Sequence, residues 1–94
     1  RVRANKSSYA PGEAIRLSWR NAPGNKFDWM GIFPGGPLDV YNYLGFSYIG
    51  ALPHGRVAMT EADLGKLAPG RYTAGLMMDD GYSVLARTSF HVER

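Results

Sequence analysis

Phe27-Asp28-Trp29-Met30-Gly31-Ile32-Phe33 is the stretch that decides how this chain folds. From Trp29 to Phe33 every residue is apolar or glycine. The run is too short for a buried helix, ends at Pro34-Gly35-Gly36-Pro37, and reads as a central strand covered on both faces. A strand of that kind needs partners on either side, and the flanking sequence supplies them.

Ala14 to Arg20 alternates strictly, with Ile15, Leu17 and Trp19 pointing one way and Arg16, Ser18 and Arg20 the other. That is a half-buried antiparallel strand. Val84, Ala86, Thr88, Phe90 and Val92 alternate against Leu85, Arg87, Ser89 and His91 in the same manner. Val2–Ala4 is a strand candidate ahead of both, and between them lie candidates at Tyr43–Gly50 and Arg56–Met59 and one led by Tyr72 with Ala74, Leu76 and Met78 on one face. Trp19 and Trp29 are read as core.

Twelve Gly and six Pro punctuate these runs at the spacing of a sandwich or barrel. Tyr9-Ala10-Pro11-Gly12-Glu13 is a turn, because Pro presets φ at one position and Gly accepts positive φ at the next. Asn21 to Asn25 is another, and Asp80-Gly81 marks a tight connection between two strands. Thr60 and Asp63 have capping-box spacing, so Glu61–Leu64 is expected to form one helical turn. Tyr72, just after Pro69-Gly70, is placed to hydrogen-bond back to the backbone at a sheet corner, as in immunoglobulin-like sandwiches. The expected fold is all-β: an immunoglobulin-like antiparallel β-sandwich of about seven strands with one short helical turn, in a single domain over residues 1–94.

Composition narrows the function classes. Ninety-four residues with 45% hydrophobic content suit one small core. There is no Cys, which excludes a disulfide framework and Cys-based zinc sites. A net charge of +3, with no basic run beyond two residues, is no nucleic-acid signature. The chain opens on Arg1 without an initiator Met, so it is read as a piece of a longer protein or a mature chain.

The motifs, taken together, carry a resemblance. Tyr9-x-Pro11-Gly12-Glu13, Asp28-Trp29-Met30-Gly31-Ile32-Phe33, Tyr43-Leu44-x-Phe46 and Asp79-Asp80-Gly81-Tyr82-x-Val84 resemble the SKICH domain and its relatives, in order along nearly the whole chain. The compact connections and final strands are also similar to Ig-like modules appended to secreted bacterial hydrolases, including phosphoesterases. The resemblance implies an accessory module that recruits a larger protein to a membrane or a partner and performs no chemistry itself. It also implies an extracellular or secreted setting and contact with the catalytic domain of the parent chain.

The residues themselves offer little for catalysis. His54 and His91 are far apart in sequence, with no Cys to join them. Asp28, Asp79 and Asp80, with Tyr82, form a possible second site; in the resembling fold their oxygens could gather around Ca²⁺, although backbone geometry at a turn, and bonds from Asp28 to backbone N–H groups beside Trp29, are the stronger reading of these aspartates. No metal or cofactor is assigned. The aromatic stretch is the leading binding candidate: Leu38, Tyr41, Tyr43, Phe46 and Tyr48 fall close together in sequence. Rings with an apolar body and a polar tip suit a phospholipid headgroup boundary or a sugar. On a strand from Tyr43 to Ile49, Tyr43, Gly45 and Ser47 would share one face, and Leu44, Phe46 and Tyr48 the other. Arg56, Lys66, Arg71 and Arg87 would add attraction to anionic headgroups.

Overall fold

A computed structural model of the chain describes residues 1–24, 26–35, 39, 41–65, 67–78 and 81–93. These form strands β1 (Val2–Ala4), β2 (Ser8–Tyr9), β3 (Ile15–Trp19), β4 (Trp29–Pro34), β5 (Gly45–Tyr48) and β6 (Gly55–Met59), a single-turn helix α1 (Glu61–Leu64), then β7 (Gly70–Met77) and β8 (Val84–Val92). The fold is mainly β, in two sheets: β1-β3-β6, and β2-β8-β7-β4-β5.

The core lies between the sheets. Val2, Ile15, Leu17, Trp19 and Met59 enter it from the smaller sheet, and Met30, Ile32, Ala74, Leu76, Phe90 and Val92 from the larger. Every one of these follows the period-2 alternation of its strand, so one face of each sheet is apolar and the other is free to vary. β4 is central, pairing with β7 on one side and β5 on the other. It is buried on both faces from Trp29 to Phe33, as its unbroken apolar run requires.

Local signals hold at several points. Glu13 N–H closes a turn on the Ala10 carbonyl at 3.0 Å, with Gly12 at φ 80°. The Asp63 carboxylate accepts from the Thr60 N–H at 2.8 Å, the expected half of a capping box. Tyr72 Oη donates to the Ala68 carbonyl at 2.6 Å while its ring stacks on Phe90. That bond satisfies a partly buried carbonyl at the entry to β7.

Four details depart from the sequence reading. Not every pairing is antiparallel, and eight strands form among the described residues. Tyr9, read as the start of a turn, instead forms a short strand with Ser8 that pairs in parallel with His91 and Val92, because Tyr9 is drawn into the core against Phe90. β5 begins at Gly45 instead of Tyr43. A Cβ at Gly45 would stand 2.6 Å from Leu64 Cδ2 and 2.8 Å from the Asp63 carbonyl oxygen, so α1 lies directly on the inner face there. Finally, an irregularity between Leu76 and Met77 ends the alternation of β7, and Met78 lies beyond the strand, exposed. Met78 therefore does not continue the face of Tyr72, Ala74 and Leu76.

Candidate functional site

The outer face of the five-stranded sheet carries a second, smaller cluster of buried side chains: Trp29, Phe33 and Met77. These are the β4 and β7 residues of opposite parity to the main core. Trp29 is thus buried as expected, but on the far side of the sheet from Trp19.

Glycines make this layer possible. Gly31 and Gly75 lie directly opposite one another on β4 and β7. A Cβ on Gly31 would stand 2.7 Å from Trp29 Cζ3 and 3.0 Å from Phe33 Cε1, and a Cβ on Gly75 would be 3.2 Å from Phe33 Cε1. The two bare positions leave a hollow, and the flanking rings lie over it. Phe33 is completely excluded from solvent as a result.

Over this floor stands a group of half-exposed rings drawn from three parts of the chain. Phe46 lies opposite Gly31, and Tyr48 opposite Trp29, on β5. Tyr43 comes from the loop before β5, and Tyr82 from the connection between β7 and β8. Trp29 meets Tyr43 at 5.4 Å, Phe46 at 5.9 Å and Tyr82 at 6.1 Å between ring centroids. Tyr43–Phe46 and Phe46–Tyr48 are each 5.5 Å apart, at interplanar angles of 84° and 83°. Tyr41, 74% exposed, leans on Tyr82 at 4.5 Å. Edge-to-face contacts of this kind favour the positive rim of one ring against the negative face of the next.

The hairpin is fastened to the floor. Trp29 Nε1 donates to the Gly81 carbonyl at 2.9 Å, and Met78 and Ser83 pair through backbone at 3.0 Å. The notch between Trp29, Tyr43, Phe46, Tyr48 and Tyr82 measures only about 60 Å³. Pockets that enclose a small molecule run to roughly 300–1,000 Å³. The site is therefore a contact surface, with nothing of the size of an enclosing pocket.

Of the binding residues expected from sequence, Tyr41, Tyr43, Phe46 and Tyr48 come together, whereas Leu38 lies outside the described residues. Tyr43 sides with Phe46 and Tyr48, contrary to the expected split, because it precedes the strand and is not bound by its alternation. Tyr82, assigned to a separate site with Asp28, Asp79 and Asp80, joins the same aromatic group. Asp28 is fully buried. No buried side-chain polar atom among the described residues lacks a hydrogen-bond partner, so its carboxylate is held within the fold. Asp79 and Asp80 lie outside the described residues, and no three His, Cys, Asp or Glu among the described residues gather as a metal site.

Two participants were not assigned to the binding surface from sequence. Trp29 supplies the floor, which the alternation of Trp29, Gly31 and Phe33 against Met30 and Ile32 already encodes. Phe27 extends the surface, 5.9 Å from Tyr48, with the Lys26 ammonium 5.4 Å from its ring centroid. The basic residues divide between the two sheets. Register puts Arg71 and Arg87 on the aromatic sheet's outer face, through Gly75 opposite Arg87 and Arg71 two positions along from Thr73. Arg56 lies on the other sheet, opposite Ser18. Lys66 lies outside the described residues. Among the described residues no helix is long and apolar enough to cross a membrane.

Comparison of the chain with protein-family models, curated proteins and solved structures finds no match in any of the three.

Proposed function

We propose that this chain is a non-catalytic docking module of a larger, secreted phosphoesterase-type protein, with an immunoglobulin-like sandwich fold. Its aromatic face seats against the headgroup boundary of a phospholipid membrane. The observation that carries the reading is the ring group Tyr41, Tyr43, Phe46, Tyr48 and Tyr82, half-exposed or more, over a rigid Trp29–Phe33 floor. Tyrosines present apolar bodies tipped with hydroxyls, which suits a boundary between hydrocarbon and water. The motifs shared with SKICH-like domains and the corner bond from Tyr72 to Ala68 support the fold and the accessory role.

Ring geometry favours lipid over a sugar chain. Stacking on a polysaccharide calls for rings presenting their faces in a common plane. Here neighbouring rings stand nearly perpendicular, at 83° and 84°, so the faces of adjacent rings do not lie in one plane. Such a corrugated apolar surface can sink among headgroups more readily than it can lie along a pyranose chain.

Co-sedimentation with phosphatidylcholine vesicles, with and without anionic lipid, tests this. Binding is expected to both, to be moderately weakened by salt through Arg71 and Arg87, and to fall in Tyr41→Ala and Phe46→Ala. Absence of binding to either vesicle at low salt rejects the membrane reading and transfers the aromatic face to a glycan or to the parent's catalytic domain.

A further inference from the structure

The opposite outer face, on the β1-β3-β6 sheet, has a different chemistry. Strand register places Arg3 and Arg56 on either side of Ser18, with Arg16 two residues before it on the same strand. Arg20 continues the alternation one residue past β3. All four arginines are exposed. Neighbouring strands bring paired Cα atoms to about 5 Å, and positions two apart on a strand are about 7 Å apart, so all four stems rise close around Ser18.

Among the described residues this charge is not neutralised locally. None of the chain's acidic residues lies on β1, β3 or β6. None of the four arginines forms an ion pair among the described residues. Glu13 is near enough to feel the charge of Arg16, but its carboxylate is engaged by Lys6. Self-repulsion of an uncompensated cluster costs stability, which an anionic partner would relieve.

The relief of the face indicates the shape of that partner. Two open grooves, of about 470 and 500 Å³, run beside β3 and share Ser18 and Arg56. A third, of about 200 Å³, joins them at Ser18 and is lined by Arg3 and Arg20. Beside the guanidinium groups, Asn5, Ser18 and Asn21 add neutral hydrogen-bonding groups to the groove linings. Concave grooves fit a chain better than a planar bilayer. Trp19 is buried in the core, so among the described residues the ring exposed along these grooves is the His54 imidazole at one of them, a single platform where a single-stranded nucleic acid calls for a row of rings. Anion-binding forks with neutral polar groups beside them match a polymer that carries both anions and hydroxyls.

We infer that the β1-β3-β6 face is a docking groove for a linear anionic polysaccharide, centred on Ser18 and held by Arg3, Arg16, Arg20 and Arg56. This does not depend on the membrane reading, which concerns the other sheet. Each partner could be held while the other is bound, since the two surfaces lie on opposite sides of the molecule.

Titration calorimetry with a heparin octasaccharide tests the inference, with neutral dextran, a single-stranded oligothymidine and anionic vesicles as comparisons. The expected result is salt-sensitive heparin binding and no dextran binding. Replacing Arg16 and Arg56 together by Gln should weaken heparin binding about tenfold, from two partly screened contacts of modest energy each. The double variant Arg71→Gln, Arg87→Gln changes net charge equally on the other sheet and should leave heparin affinity intact. Equal loss in both double variants would show general charge attraction and overturn the groove. So would tighter binding of the oligonucleotide than of heparin, an Arg16- and Arg56-dependent affinity confined to vesicles, or no heparin binding at all. Thermal midpoints at or above the parent's in both variants exclude misfolding as the cause of a loss.

Discussion

The indole Nε1–H of Trp29 donates to the carbonyl oxygen of Gly81 at 2.9 Å, joining positions 52 apart in sequence. A central strand is thereby bonded to the tip region of a hairpin, and Tyr82 is carried onto the Trp29 ring. Trp29→Phe keeps an apolar ring but removes the donor and part of the floor. Stability should fall by about 1–3 kcal/mol. Amide exchange at Gly81, Tyr82 and Ser83 should accelerate more than exchange in β3, because the lost bond fastens the hairpin locally. Uniform acceleration across both sheets would contradict a local fastening role.

Gly31 owes its identity to the rings beside it. With a Cβ 2.7 Å from Trp29 and 3.0 Å from Phe33, Gly31→Ala must displace at least one buried ring. Overpacking of this kind costs about 1–3 kcal/mol. Chemical denaturation should show the loss in midpoint with an unchanged slope, and Trp fluorescence should shift as the indole moves. A variant as stable as the parent would mean that the ring layer yields freely, and the rigid floor argued above would be wrong.

Much of the architecture was legible in the sequence because it rests on local signals. Alternation over Ile15–Trp19, the unbroken apolar run of β4 and the Thr60–Asp63 cap each act within a few residues. The parts that were not legible depend on distant partners. Ser8–Tyr9 is too short to show periodicity, and its parallel pairing with β8 is decided by where Tyr9 finds a core position. The start of β5 is set by α1 lying on Gly45, sixteen and more residues before that helix in the chain. Tyr43, Phe46 and Tyr48 were readable as a local aromatic run, but their union with Trp29 and Tyr82 requires the β4-β5 register and the hairpin bond. The arginine face is similar: Arg16 and Arg20 share a visible alternation, whereas Arg3 and Arg56 join them only through strand pairing.

Tyr72 offers a clean separation of ring and hydroxyl. Its ring stacks on Phe90 at 5.8 Å and 20°, and its hydroxyl donates to the Ala68 carbonyl. Tyr72→Phe preserves the stack and strands the carbonyl. Thermal or urea unfolding should register a loss of about 1–2 kcal/mol, the usual range for a partly buried bond left unmade. A loss below the error of the measurement would mean that water replaces the hydroxyl at the corner.

Acid sensitivity should have an identifiable contribution from Glu13. The Lys6 ammonium beside it, then the Ala10 N–H, hold its carboxyl below the ordinary value of 4.5. A carboxyl whose folded-state pKa is depressed stabilises the fold fully above its unfolded pKa, and that contribution fades as pH falls through the folded value. The pair is solvent-exposed, so the effect is small and salt-screened. Lys6→Gln should lower urea midpoints slightly near neutrality at low salt and leave them unchanged in acid, so that the stability profile flattens below about pH 4.5. A carboxyl shift for Glu13 by NMR that is unchanged in Lys6→Gln would assign the depression to the Ala10 N–H instead.

Binding and folding should separate within the aromatic face. Tyr41 is 74% exposed and its ring contact is with Tyr82 alone among the described residues, whereas Phe46 meets Trp29, Tyr43 and Tyr48. Tyr41→Ala removes surface that does little for the fold, so stability should stay within about 0.5 kcal/mol of the parent. Phe46→Ala opens the ring group above Gly31 and should cost about 1–2 kcal/mol, less than a fully buried Phe because the ring is half in water. If the face docks on a membrane, both variants should weaken vesicle binding, although only one weakens the fold. Vesicle affinity that tracks stability and is untouched in Tyr41→Ala would make the rings a small outer core, with docking assigned elsewhere.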